Sequence, residues 1–383
     1  MRRKRFRHWF DNNIDRWPNF LGALMLVLGL IVFLSEYFGW SFLYIPVLSD
    51  LFLRIWPELF GIGLAVIIID NANELIRTRE EKKRLILQMG SPDNGFAIEA
   101  VRQLRARDWL EDGSLRGADL AVADLREANL KEANLEGVRL TLANLMDAIL
   151  VEANMVEANL RFANLEGANL KQANLGNTLL EQTILADANM VGANLKQANL
   201  ERANLNRAVL YKANLEGAIL IRADLRATNL WEVNMSDANL WEANLKGAEL
   251  KGAYLNGADL RGANLYRADL REAFLSRANL SGAHLDGAYL EGADLDGAHL
   301  EGAYLRGANL YRADLDGAEL EGTDLRGAKL EGVNLRGAFL TDAKVTPEQL
   351  NEAKSLEGAI MPDGTLYNPE TFKESIDKKE TQG

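Results

Sequence analysis

From Leu115 to Leu340 every fifth residue is leucine, or methionine at 155, 190 and 235, through 46 successive positions with no slip of register. Two residues before each of these stands alanine in 38 of the 46 cases, and the exceptions are small or β-branched, such as Val138, Thr178 and Val333. An α-helix returns to one face about every 3.6 residues and a flat strand about every 2, so neither buries a five-residue repeat. A chain that turns a corner every five residues does bury it, with the leucine and the small residue before it both facing the axis of a coil. Asn or Asp fills the slot immediately before the central residue in 29 of 46 cases. These side chains bond their own backbone in tight turns.

The pattern, with Ala-Asn-Leu and Ala-Asp-Leu recurring over residues 113–344, resembles the pentapeptide-repeat family, whose motif is A(D/N)LXX. The resemblance implies an all-β solenoid, specifically a right-handed quadrilateral β-helix with four pentapeptides to a coil and backbone hydrogen bonds between coils. Forty-six repeats then make about eleven coils, and at ~4.8 Å per coil a rod of roughly 55 Å. No central position is Phe, unlike in many members, which leaves the expected fold unchanged. Open solenoid ends need lids, and helical caps are expected at both. At the near end, Ser91-Pro92 reads as a helix start with Ser91 as N-cap, followed by the apolar stripe Ala97, Ile98, Val101 and Leu104. At the far end, Thr346-Pro347-Glu348-Gln349 reads as a capping box, with Gly358 ending the helix. From Met361 to Gly383 the chain is polar, with a Pro-Asp-Gly turn and disorder expected from Lys378.

Ahead of the repeat, Phe20 to Leu34 is apolar throughout and continues to Trp40 with one charge, Glu36. A second apolar stretch covers Leu51 to Ile69, with Arg54, Pro57 and Glu58 near its start. Together they predict an N-terminal transmembrane helical hairpin, contacting a lipid bilayer through residues 19–71. Arg2, Arg3, Lys4, Arg5 and Arg7 precede the first stretch, Arg77, Arg79, Lys82, Lys83 and Arg84 follow the second, and Ser41 to Asp50 carries no Lys or Arg. That asymmetry predicts an integral membrane protein with both termini and the repeat on the cytoplasmic side. The expected organisation is a basic N-terminus over 1–18, a membrane anchor over 19–71, a stalk and capping helix over 72–112, the β-helix over 113–344, and a capping helix with flexible tail over 345–383.

There is no cysteine, which removes thiolate nucleophiles and thiolate metal sites, and only three histidines are present. No phosphate loop, Ser-His-Asp order, zinc spacing or nucleotide-binding glycine pattern occurs, so no catalytic residue, cofactor or metal is expected. The net charge of −12 is concentrated in the repeat, where 24 basic residues face 33 acidic ones. Such a balance disfavours direct nucleic-acid binding by phosphate neutralisation.

If residues twenty apart lie one coil apart on one face, surface ladders follow from the sequence. Asp294 and Asp296 lie next to Asp314 and Asp316, with Glu301, Glu319 and Glu321 adjoining, and only Arg306 and Arg312 interrupt residues 286–324. Like charges this close should raise their own pKa values or attract a cation or basic partner. Tyr211 stands beside Trp231, and exposed aromatics are typical of contact surfaces. His284 pairs with Tyr304, and Tyr254 with Phe274, as stacked rungs; His299 lies on a different face and offers no metal geometry. The function expected is a non-catalytic, membrane-tethered scaffold for a protein partner. The alternative comes from the family resemblance: a DNA mimic regulating a DNA-binding protein such as gyrase.

Overall fold

The computed structural model describes residues 46–373 and, apart from them, Val27. The chain divides into two compact units, Met1–Arg84 and Leu85–Gly383.

The second unit is built from one repeated device, seen at Leu145. Its N–H donates to Asn164 O at 2.6 Å, one coil on, and its carbonyl accepts from Ala148 N at 3.0 Å, closing a four-residue turn. Asp147, third in the turn, has φ 55°, the left-handed conformation of a type II turn. Its N–H donates to Glu166 O at 2.9 Å, while Asn144 N reaches back to Ala123 O at 2.9 Å. Met146 N is left over, and the Asn144 side-chain oxygen accepts from it at 3.2 Å. All five backbone donors of the pentapeptide are thereby satisfied. This is why Asn and Asp recur in that slot: the side chain takes the one N–H that neither turn nor neighbouring coil can reach. Glycine is the natural residue at the left-handed corner, yet Val122 and Phe162 hold it at φ 57° and 60°.

Parallel bridges join residues twenty apart, from Asp119↔Arg139 to Asp324↔Lys344, so each coil holds four pentapeptides. Each face contributes one bridged residue per coil, and the β-structure is a stack of isolated bridges rather than of extended strands. Central leucines and the alanines before them form one continuous core. Where threonine replaces alanine the hydroxyl is buried but bonded: Thr178, Thr183, Thr228 and Thr323 donate to the carbonyls of Met155, Leu160, Leu205 and Leu300 at 2.7–3.0 Å.

Helix α1 spans Pro46–Met89, and its Leu85 and Met89 join the core of the second unit. Helix α2, Asn94–Arg105, starts two residues later than Ser91 implies: Asp93 is the N-cap, accepting from Phe96 N at 3.1 Å. The Ser91 hydroxyl instead accepts from Asp93 N at 3.1 Å. Ala97, Ala100, Val101 and Leu104 are its buried face. Its polar residues close the first coil, Asn94 donating to Asp124 O and Arg126 O and Arg105 to Asn129 O and Lys131 O.

Helix α3, Pro347–Asn351, carries the full capping box of Thr346 and Gln349. The Gln349 amide also donates to Leu325 O and Ala328 O at 2.8 and 2.9 Å, sealing the coil beneath. Gly358 does not end this helix, whose C-cap is Glu352. Beyond it the coil resumes, bridging Asn334↔Ser355 and Phe339↔Ile360, with Leu356 and Met361 buried. These stand 21 residues after Leu335 and Leu340, so the helix inserts one residue into the register. Gly358, at φ 74°, is one more coil corner. The turn after Met361 closes by Gly364 N to Met361 O at 2.9 Å, and Ile360 pairs antiparallel with Leu366. The described chain continues to residue 373; Lys378, from which disorder was expected, lies outside the described residues.

The membrane assignment is corrected. Among the described residues no helix is long and apolar enough to cross a membrane. The uninterrupted apolar run in α1, Leu59 to Ile69, is eleven residues long, against the roughly 20 that a bilayer requires, and it leads directly into Asp70 and the charged remainder of the helix. The first predicted span, with Glu36, lies outside the described residues except for Val27. The integral-membrane localisation, the orientation deduced from flanking basic residues and the bilayer contact of residues 19–71 are therefore withdrawn.

Candidate interaction surfaces

The slot before each leucine and the two corner residues after it are what the rod presents to solvent. Each repeats every twenty residues, so the surface is a grid fixed by the backbone ladder. Most of its charges are paired locally. A slot Asp grips the Arg two residues on, as in Asp124–Arg126, Asp224–Arg226 and Asp259–Arg261 at 2.6–2.7 Å. Other pairs cross between coils, as in Asp187–Arg207 and Glu242–Arg222 at 2.6 and 2.7 Å.

Near the far end, Asp324 is only 2% exposed and is held by Arg326 at 2.7 Å and Arg306 at 2.6 Å. The Arg326 hydrogen bond, against the cost of burial and helped by Arg306, keeps its carboxyl far below the usual carboxylate range.

The acidic corner assembles as the twenty-residue spacing implies. Asp294 is bridged to Asp314, Gly297 N beside Asp296 donates to Asp316 O at 2.8 Å, and Gly302 N beside Glu301 donates to Glu321 O at 2.8 Å. It is not a bare cluster of like charges, however. Ser276 donates to Asp294 at 2.8 Å, Asn334 to Asp314 at 2.8 Å, and Arg336 lies 3.6 Å from Asp316. Ser281 Oγ lies 3.0 Å from Glu301, and His299 Nδ1 2.7 Å from Glu319 Oε2. The Glu319 carboxyl is consequently lowered from its ordinary value, chiefly by the His299 hydrogen bond, opposite to the rise expected from repulsion alone. His299, which sequence reasoning set aside as lying on another face, is bridged directly to Glu319. The 299-to-319 spacing of twenty was the available signal.

Tyr211 and Trp231 are corner residues one coil apart, joined through Lys212 N to Trp231 O at 3.1 Å. Lys212 lies 5.0 Å from the Tyr211 ring centroid and 3.3 Å from Glu232. Trp231 lines a shallow open groove with Glu232, Lys251, Tyr254, Glu272 and Phe274. Tyr254 and Phe274 stack there at 4.9 Å and 8°. Two aromatic ladders that appear separate in sequence therefore meet across one corner of the rod. His284 and Tyr304 stack elsewhere, at 4.7 Å and 5°.

The family model for pentapeptide repeats matches the chain in overlapping segments from residue 110 to 342. Comparison with curated proteins gives no match. Among solved structures, the chain is similar to HetL, a pentapeptide repeat protein involved in heterocyst differentiation regulation from the cyanobacterium Nostoc sp. strain PCC 7120. Identity is 36%, covering 57% of this chain and 91% of HetL, with a TM-score of 0.47. A pentapeptide repeat protein of the Arabidopsis thaliana thylakoid lumen is 26% identical over 39% of this chain and 85% of its own, with a TM-score of 0.16. Full-length QnrB1, a plasmid-mediated fluoroquinolone resistance protein, is 19% identical over 57% of this chain and 90% of its own, with a TM-score of 0.20. With a coil of four pentapeptides and a family match spanning most of its length, this chain belongs to the pentapeptide-repeat family.

Proposed function

We propose that the protein is a non-catalytic interaction scaffold, a rod that presents a protein partner with side chains on a fixed grid. The observation that carries this reading is the aromatic groove. Trp231, Tyr254 and Phe274 are 42%, 44% and 40% exposed, on a backbone that cannot fold over them, and two ion pairs, Lys212–Glu232 and Lys251–Glu272, border them at 3.3 and 3.4 Å. An apolar centre with a charged rim is the composition of a binding hot spot, and covering such rings yields about 25 cal/mol per Å². The corner of Asp294, Asp296, Asp314 and Asp316 supplies a second, acidic element suited to a basic region of the same partner. No specific observation favours the DNA-mimic alternative, since paired cations interrupt the acidic surface along most of the rod.

Proximity labelling in cells with the full chain, compared with a Trp231→Ala, Tyr254→Ala, Phe274→Ala variant, tests the reading. Loss of the same labelled proteins from the variant supports it, and an unchanged set overturns it. A gyrase supercoiling assay separates the alternative: inhibition by the chain at stoichiometric levels would move the reading from scaffold to DNA mimic.

A further inference from the structure

We infer that His299, Glu301 and Glu319 form a binding site for a first-row transition-metal ion such as Zn2+, bridging two successive coils. This goes beyond the scaffold reading and does not depend on it. His299 and Glu319 occupy the slot before the central leucine on adjacent coils and are bridged through the backbone. Glu301 is the first corner residue after Leu300. His299 Nδ1 stands 2.7 Å from Glu319 Oε2 and 3.8 Å from Glu301 Oε1. One donor atom from each of the three residues lies within 4.8 Å of the others. Tetrahedral zinc with bonds near 2.1 Å needs donors about 3.4 Å apart, so the ion replaces the proton between His299 and Glu319 while Glu301 turns inward slightly. All three side chains are about two-fifths exposed and free to make that adjustment.

The frame around them is rigid. His299 N donates to Ala278 O at 3.0 Å and Leu300 N to Glu319 O at 2.7 Å, which fixes the spacing of the two coils. Ser281 Oγ lies 3.0 Å from Glu301 Oε2 and 2.7 Å from Asn279 Oδ1, and Glu301 Oε1 is the oxygen that faces the imidazole. On Glu321, one coil beyond Glu301, Oε2 is buried and has no hydrogen-bond partner, as is true of Glu181 Oε2 and Glu291 Oε2 elsewhere on the rod. Among the described residues no Lys or Arg forms an ion pair with Glu301, Glu319 or Glu321, in contrast to the Asp–Arg pairs elsewhere on the rod. Among the described residues, Glu301 and Glu319 therefore have the His299 imidazole as their only charge partner. An imidazole nitrogen with carboxylate oxygens suits zinc and its neighbours, whereas calcium and magnesium call for oxygen donors alone.

The test is calorimetric titration of the untagged, chelator-treated full chain with ZnCl2, alongside His299→Asn, Glu319→Gln and two controls, His284→Ala and Asp314→Asn. Asn is the commonest residue of the slot that His299 occupies, so that variant keeps the fold, and matching far-UV circular dichroism verifies it. The expected result is one equivalent of Zn2+ bound by the native chain and by both controls, no binding by His299→Asn or Glu319→Gln, and no competition from equimolar Ca2+ or Mg2+. Absence of Zn2+ binding by the native chain, equal binding by the His299 and Glu319 variants, or loss confined to Asp314→Asn would each overturn the site and leave the His299–Glu319 contact as a hydrogen-bonded rung. Failure of the labelling experiment has no bearing on this titration.

Discussion

Leu255→Asp measures directly how much a single rung holds. Leu255 is fully buried in the stack between Met235 and Leu275, both also at 0% exposure, and its N–H donates to Phe274 O at 2.7 Å. Truncating such a leucine costs about 2–5 kcal/mol, because a coil clamped above and below cannot collapse into the space. The carboxylate adds to this. Its stack neighbours Met235 and Leu275 offer no side-chain donor, so the group must either remain charged without a partner or take up a proton. The combined cost is at least about 4 kcal/mol. The neighbouring Asn256→Asp places its charge on the outer corner and should cost no more than about 0.5 kcal/mol. For a unit of this size, roughly 2–4 °C of melting temperature goes with each kcal/mol, so the first variant should melt on the order of 10 °C lower and the second within ~2 °C of the parent. Each coil contacts only its neighbours, and hydrogen exchange should therefore accelerate first around residues 235–275. Indistinguishable melting of the two variants would refute the inward assignment of the fifth residue.

Two further outcomes follow from the far end of the rod. Asp324→Asn should cost about 2 kcal/mol at pH 7, the scale of charge-assisted hydrogen bonds, read by urea unfolding. The folded-state carboxyl is depressed below its unfolded value of about 3.9, so this contribution is fully present above that pH and is lost as pH falls toward the folded-state value; the gap between parent and variant should narrow below about pH 4. Gln349→Ala removes one half of the capping box and the two bonds to Leu325 O and Ala328 O. It should cost about 1–2 kcal/mol and appear as faster hydrogen exchange in the last coils, with residues 120–160 unaffected.

The sequence by itself determined the repeating unit. A strict period of five with leucine and alanine at fixed offsets admits one economical solution, a coil with those residues inside, and Asn or Asp beside the leucine is dictated by the one backbone donor that the turn leaves over. The capping box at Thr346 was equally legible, because it depends on four consecutive residues. What depends on closure against a neighbour was not. Gly358 reads as a helix end, yet it is a coil corner, since Leu356, Ala359 and Met361 repeat the motif one residue out of phase and only packing on Leu335 and Leu340 shows the insertion. Apolar composition in α1 suggested a span, whereas an eleven-residue run flanked by charges is too short for one. The twenty-residue ladder placed Asp294 over Asp314 correctly, but whether a carboxylate repels its neighbour or accepts a bond from Ser276, Asn334 or His299 is decided by side-chain reach across coils. Trp231 and Phe274 are 43 residues apart in sequence, and they line one groove because the square coil turns its corner between them.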